Sequence, residues 1–241
     1  IVQRFAFTYP NLVAAKTTAK ISVSELKRRF AERDAEAVSA TVLDTSIPAI
    51  SEIEIADSVF GRKPMAIADA EEIVTGAQWG TLMHEAMQWL PVKKYTQQSM
   101  TAMLDSLQAE GKFSDEERSL LSDRSLYGFF NSDLGQRLIA SKRVERELPF
   151  SMLFEGKRVY DTLEDGENLF LQGIIDTAFE EDGEWVLVDY KTDRVTSGED
   201  LIKRYKIQMD LYKEALQRLT GMPVKACYIY SFRLHDAIIV D

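Results

Sequence analysis

Residues 173–193 read GIIDTAFEEDGEWVLVDYKTD, from Gly173 to Asp193. Two apolar runs flank Asp182-Gly183, a pair that tolerates positive φ and is a strong signal for a two-residue hairpin loop. That loop sets Asp176 directly opposite Asp189. Side chains alternate along a strand, so Asp189 and Lys191 share one face and Asp176 joins them on it. Two carboxylates and an ammonium thus converge on one patch of an apolar sheet. Carboxylates directly opposite one another repel unless something positive lies between them, and a divalent metal meets that need. An isolated Asp-x-Lys is more often an ion pair guarding an exposed edge strand. Here Trp185-Val186-Leu187-Val188 has no polar alternation, which marks a buried strand and favours a working site over an edge device.

The chain has 241 residues, 45% hydrophobic and 28% charged, enough for one large domain with a real core, or one domain and an appendage. No apolar run approaches the ~20 residues needed to cross a bilayer. It begins Ile1-Val2-Gln3, with neither an initiator Met nor a signal-peptide pattern, and so reads as a piece of something longer. Cys227 is the single cysteine. That excludes an internal disulfide framework and any all-cysteine metal or iron–sulfur site within the chain, and it fits a reducing cytoplasm. A formal net charge of −10 argues against a free-standing nucleic-acid binder. It leaves room for an enzyme acting on nucleic acid, because a metal supplies charge locally and a neighbouring domain can deliver the strand.

Residues 1–20 read as an extended connector. Ser22-Val23-Ser24-Glu25 is a capping-box pattern opening a short helix over about 22–36. From Val38 to Ile73 no period is sustained, and Pro48, Gly61 and Pro64 interrupt the stretch, which reads as a long surface excursion. Helical periodicity begins near Thr75 and is closed by Pro91; Trp79, Leu82, Met83, Met87 and Leu90 make its apolar stripe, with His84 beside it. Two or three further helices are expected: over about 97–109, from the capping box Ser114-Asp115-Glu116-Glu117, and from near Ser132. From Arg146 the texture changes to strands. ERELPFSMLFEG and KRVYDTL meet at Glu155-Gly156, a turn follows at 164–168, and then the opening hairpin. A long helix over about 198–220 has Ser197 as N-cap and Gly221 as its stop, and the strands KACYIYSFR and DAIIV close the chain. The expected fold class is α/β, a central mixed sheet flanked by helices, with an N-terminal helical region. Residues 1–75 form the leading connector, short helix and loop, and 76–241 one domain, helical over 76–145 with its sheet core over 146–241.

Four short motifs carry a family resemblance: Gly80-Thr81-Leu82-Met83-His84, Gly173-Ile174-Ile175-Asp176, Asp189-Tyr190-Lys191-Thr192-Asp193 and Gln208-Met209-Asp210-Leu211-Tyr212. In this order they resemble the PD-(D/E)XK nuclease superfamily, in its RecB-like branch. The resemblance implies a restriction-endonuclease-like sheet and a metal-dependent deoxyribonuclease that hydrolyses phosphodiester bonds of single-stranded DNA, by exo- or endonucleolytic cleavage or both. By resemblance Asp176, Asp189 and Lys191 are catalytic. His84, Asp176, Asp189 and the backbone carbonyl of Tyr190 hold the metal, and Gln208, Tyr212 and Thr192 support the site or the substrate. Mg²⁺ is the implied ion, with Mn²⁺ able to replace it. A histidine beside an apolar stripe is by itself more often a hydrogen-bonded core residue; the resemblance reverses that preference for His84. Gln208 and Tyr212, four residues apart, share a helical face.

Some members of the branch carry a four-cysteine iron–sulfur cluster, which a chain with one cysteine cannot build. The resemblance is closest to nuclease domains at the C-terminal end of helicase–nuclease proteins in double-strand-break repair and recombination. It implies upstream ATP-driven motor domains in the same polypeptide, linked through residues 1–75 and feeding a single strand to this domain. A second helicase–nuclease subunit, a cytoplasmic setting and no membrane partner are implied with them. No G-x-x-x-x-G-K-[ST] motif occurs here, so ATP belongs to the motor. Lys203, Arg204 and Lys206, and Lys142, Arg143 and Arg146, are the electrostatic candidates for gripping DNA. The competing reading is a nuclease-fold module that binds DNA or a partner without cutting; the presence of every polar site residue speaks against it.

Overall fold

Asp182 and Gly183 take φ of 58° and 83°, so the two-residue loop forms as its sequence predicts. The computed structural model describes residues 19–30, 76–160 and 162–240. The expected connector before residue 19 and the surface excursion over 38–73 lie outside them. The described elements are β1 (Lys20–Ser22), α1 (23–30), α2 (Gly76–Trp89), α3 (Gln97–Ala109), α4 (Asp115–Leu120), α5 (Asp123–Asn131), α6 (Asp133–Ala140), β2 (Val144–Glu155), β3 (Asn168–Glu181), β4 (Glu184–Lys191), α7 (Gly198–Thr220), β5 (Val224–Ser231) and β6 (Asp236–Ile239).

The long strand β3 organises the mixed sheet. Antiparallel β2 runs along one side of it, from Val144↔Phe179 to Glu155↔Asn168. The other side is shared: β1 pairs in parallel with residues 170–172, and β4 pairs antiparallel with residues 177–181. Between them, among the described residues, β3 is unpaired on that side over 173–176, the stretch from Gly173 to Asp176. Beyond β4 come parallel β5, reached through the crossover helix α7, and antiparallel β6. Pro149 lies in β2, which among the described residues pairs with β3 alone, and an edge position tolerates its missing N–H.

Helices cover both faces. Trp185 and Leu187 point toward α7, packing with Leu201, Met209 and Leu216. Val186, Val188 and Tyr190, at alternate positions, pack into the layer of α2–α6 with Met83, Phe129 and Leu134. All three apolar residues from Val186 to Val188 are fully buried, each worth about 1.5–3 kcal/mol of transfer free energy. Ile21, Val23 and Leu26 are buried on the α7 side, so β1 and α1, ahead of residue 76, belong to the same sheet and core.

Within β3 strict alternation fails at one place. Before Asp176, the odd-numbered Leu169, Leu171 and Ile175 face α7; after it, odd-numbered Phe179 faces the five-helix layer and Ala178 faces α7. The phase of β3 slips at Asp176, and across the ladder Glu147 adopts φ of 50°.

Two local expectations change. The described residues of KRVYDTL form no strand. Gly156–Arg158 make a single 3₁₀ turn, because the N–H groups of Val159 and Tyr160 both fold back onto the Gly156 carbonyl and Gly156 N–H donates to Glu167 O at 2.7 Å. Residues 156–167 are therefore the connection between β2 and β3. The helical layer also holds α5, capped by Ser122 and burying Leu126, Phe129 and Phe130.

Candidate active site

The β3–β4 ladder ends at Thr177↔Val188. The next facing positions are Asp176 and Asp189, in the predicted register, but they do not pair as backbone. The Tyr190 N–H donates instead to Asp176 Oδ2 at 2.8 Å, and the strands part around the carboxylate. His84 reaches the same oxygen from α2, with Nδ1 3.5 Å away. Burial of Leu82, Met83, Ala86 and Met87 fixes the rotation of that helix. Gly80 lets it approach β4: a Cβ there would lie 2.8 Å from Thr192 Oγ1. Four residues on, just over one helical turn, His84 falls beside Asp176.

Asp189 is 1% exposed. From the opposite face Gln208 Nε2 donates to its Oδ1 at 2.9 Å. Its Oδ2 lies 2.5 Å from Lys191 Nζ as a charge contact, and that buried oxygen has no partner in hydrogen-bond geometry. The Lys191 ammonium also stands over the Tyr205 ring, 4.5 Å from its centroid. Tyr190 turns the other way: its hydroxyl donates to Thr177 Oγ1 at 3.1 Å, and its ring packs edge-on to Phe129.

The family glycine and tyrosine meet over one ring. Phe150 pairs with Gly173, and a Cβ on Gly173 would come within 2.7 Å of it. The same ring packs edge-to-face with Tyr212 at 5.7 Å. Tyr212 therefore backs α7 against β2 and β3 below Gln208.

The electrostatics follow from burial. Burial opposes charge on Asp176, yet the His84 imidazole, Lys191 and the Tyr190 N–H hold its carboxyl below the usual range. Burial likewise opposes the His84 imidazolium, but the Asp176 carboxylate outweighs it and raises the imidazole. Asp189 is pushed up by burial, with the Asp176 charge adding to it against Lys191. Lys191 is raised despite its burial, because the Asp189 and Asp176 carboxylates hold its proton. Lys191 thus supplies the positive charge that buried Asp189 and the partly buried Asp176 beside it require.

Four residues at the site escaped the sequence expectations. Glu147, opposite Asp176, is held above the usual carboxylate range by burial and by the Asp176 charge. Asp193 accepts the Tyr205 hydroxyl at 2.9 Å and Arg204 at 2.7 Å, tying the end of the DYKTD segment to α7. Lys27 of α1 lies over the other partner in that pair, Tyr205. The adjacency of Asp193 to the motif was a usable signal; Glu147, Tyr205 and Lys27 follow no period. Of the basic candidates, Arg146 donates to the Met87 and Leu90 carbonyls at 3.1 and 2.7 Å and caps the end of α2. Arg143 stacks on Trp185 and pairs with Glu145.

Among the described residues no three His, Cys, Asp or Glu side chains are gathered into a closed metal cage, since Asp189 is turned to Lys191 and Gln208. The donor set nevertheless suits a hard divalent cation: two carboxylates, an imidazole, and the buried Asp189 Oδ2 without a hydrogen bond.

A mixed sheet whose strands part around Asp176, followed by Asp189 and Lys191, is the arrangement of a D…D-x-K nuclease. Residues 60–237 match the family model of the PD-(D/E)XK nuclease superfamily, and the chain belongs to it as a nuclease domain. It is 36% identical over 236 residues to an ATP-dependent helicase/nuclease subunit of Acetivibrio thermocellus, covering 95% of this chain and 18% of that protein. It is 36% identical to the protein of the same name in Clostridium perfringens, over 99% of this chain and 19% of that one. Against the Bacillus pumilus protein it is 34% identical over 96% and 19%. The chain thus spans a little under a fifth of the length of these relatives. Among the described residues no helix is long and apolar enough to cross a membrane.

Proposed function

We propose that this chain is the metal-dependent nuclease domain of a helicase–nuclease protein of the AddA type. It hydrolyses phosphodiester bonds of single-stranded DNA delivered by ATP-driven motor domains of the same polypeptide. Double-strand-break repair and recombination in the cytoplasm, beside a second helicase–nuclease subunit, is the setting. The nuclease unit comprises residues 76–241 together with β1 and α1. The observation that carries the reading is Asp189: a wholly buried carboxylate, gripped by Lys191 and Gln208, next to Asp176 where the strands part.

His84, Asp176, Asp189 and the Tyr190 carbonyl would hold Mg²⁺ or Mn²⁺. The chemistry such an ion supplies when bound is polarisation of a phosphoryl oxygen and a lowered pKa for water. Lys191 keeps its proton beside Asp189 and counters the charge that develops on the phosphate in the transition state. Gln208 fixes the orientation of Asp189, and Tyr212 and Phe150 hold α7 at the distance Gln208 needs. Thr192, seated against Gly80, keeps the His84 helix in register with the end of β4.

The test is degradation of single-stranded DNA by the purified chain with Mg²⁺ or Mn²⁺. Asp189→Ala and Lys191→Ala should each abolish it while leaving the fold intact by circular dichroism. Undiminished cleavage by both variants would sink the assignment.

A further inference from the structure

Tyr205 carries a lysine to which the nuclease chemistry gives no role. The Lys27 ammonium stands 3.7 Å from the centroid of the Tyr205 ring, and Lys191 Nζ stands 4.5 Å from the same centroid. The two ammonium groups are therefore within about 8 Å of one another. The carboxylates nearby are already engaged, Asp189 by Lys191 and Asp193 by Arg204. Lys27 has no ion-pair partner among the described residues. A half-buried lysine held by an aromatic face and lacking a counter-anion is prepared for an anion from outside. From this edge of the site a cavity of about 410 Å³ opens along α7, lined by Arg194, Lys203 and Arg204, with Asp200 the one acidic residue among the described residues that line it. Asp200 is occupied by the Ser197 and Thr196 hydroxyls. In a chain of net charge −10 this is a locally cationic path leading away from Lys191.

We propose that Lys27 is a phosphate-binding residue of the site, holding the DNA backbone beside the phosphate that Lys191 serves, on the strand's course along α7. The inference rests on the nuclease reading and adds a substrate contact from α1. Burial, with the Lys191 charge and Arg204 adding to it against Asp193 and Asp189, pushes the Lys27 ammonium down to about 8. An arriving phosphate relieves that penalty. Because the contact is made in ground and transition states alike, it acts on KM and leaves kcat unchanged.

The probe is a fluorescent single-stranded oligonucleotide bound by the full 241-residue chain in EDTA, followed by anisotropy over a salt series. Cleavage with Mn²⁺ is measured in parallel. Lys27→Gln should weaken binding about fivefold to tenfold and reduce the slope of log K against log salt by about 0.7. KM should rise by the same factor, and Lys27→Arg should recover most of the loss. Unchanged affinity and salt slope in Lys27→Gln would overturn the proposal. So would a loss in Lys27→Gln that Lys27→Arg does not recover at all, which would mark packing on Tyr205 as the whole effect. If the wild-type chain binds but never cleaves, the nuclease reading fails, and the EDTA titrations still decide Lys27.

Discussion

Asp176 Oδ2 accepts the backbone N–H of Tyr190 at 2.8 Å, Asp176 standing one position and Tyr190 two beyond the last β3–β4 ladder pair. A side chain has replaced the backbone acceptor that the ladder would have supplied, which lets the strands part without orphaning a buried donor. The carboxylate therefore has a structural duty as well as a chemical one, and the two separate by substitution. Asp176→Asn keeps an acceptor for Tyr190 but loses the charge; Asp176→Ala loses both. Both should be inactive on single-stranded DNA. In EDTA, urea denaturation should find Asp176→Ala less stable than Asp176→Asn by about 1–3 kcal/mol. Equal stabilities would mean the N–H finds another acceptor.

The two motif glycines should respond differently to a methyl group. At Gly173 a Cβ meets the Phe150 ring at 2.7 Å and Val23 at 3.0 Å, inside a packed core held on its far side by Tyr212. Gly173→Ala should cost about 1–3 kcal/mol as overpacking, read as a lower urea midpoint. At Gly80 the obstacle is a single atom, Thr192 Oγ1, which can rotate aside. Gly80→Ala should therefore cost less stability than Gly173→Ala, read in the same urea series.

Gln208 is the contact between Asp189 and α7. Gln208→Ala removes a donor to a buried carboxylate and should lower cleavage about tenfold to a hundredfold. Single-strand affinity in EDTA should be unchanged. A variant weakened in EDTA binding to the same degree as in cleavage would place Gln208 on the DNA instead.

Legibility in the sequence followed locality. The hairpin and its register were readable because a two-residue loop at Asp182-Gly183 leaves one way to face the strands. The core positions of α2 were readable from period, and His84 from its spacing within a recognised motif. The phase slip at Asp176 was not. Alternation had placed Asp176 on the Asp189 face, whereas the local inversion opposite Glu147, an ordinary residue held at positive φ, lets it reach His84 on the other. KRVYDTL looked like a strand because it mixes β-branched and aromatic residues, but its backbone bonds close on Gly156. Tyr205, Asp193 and Lys27 meet through contacts between separate elements, and no one-dimensional pattern encodes such a meeting.

The far end of β3 predicts the response to acid. Glu181 accepts Arg137 through both oxygens, at 2.8 and 3.0 Å, and Lys225 Nζ at 2.9 Å, so one carboxylate clips α6, β3 and β5 together. Arg137 first, then Lys225, hold its carboxyl down to about 2, from an ordinary value of 4.5. The folded value lies below the unfolded one, so the unfolded chain takes up the proton first as pH falls. The stabilisation is complete above about 4.5 and drains away between there and about 2. Glu181→Gln should therefore be less stable than the parent near neutrality, with a gap that narrows through that interval, in urea midpoints taken across a pH series. Asp123, lowered by its Arg118 and Thr101 bonds against burial, leaves the variant a residual acid slope of its own. A gap that stayed constant from neutral pH down to about 2 would show that shape and packing at Glu181, rather than its charge, hold the three elements together.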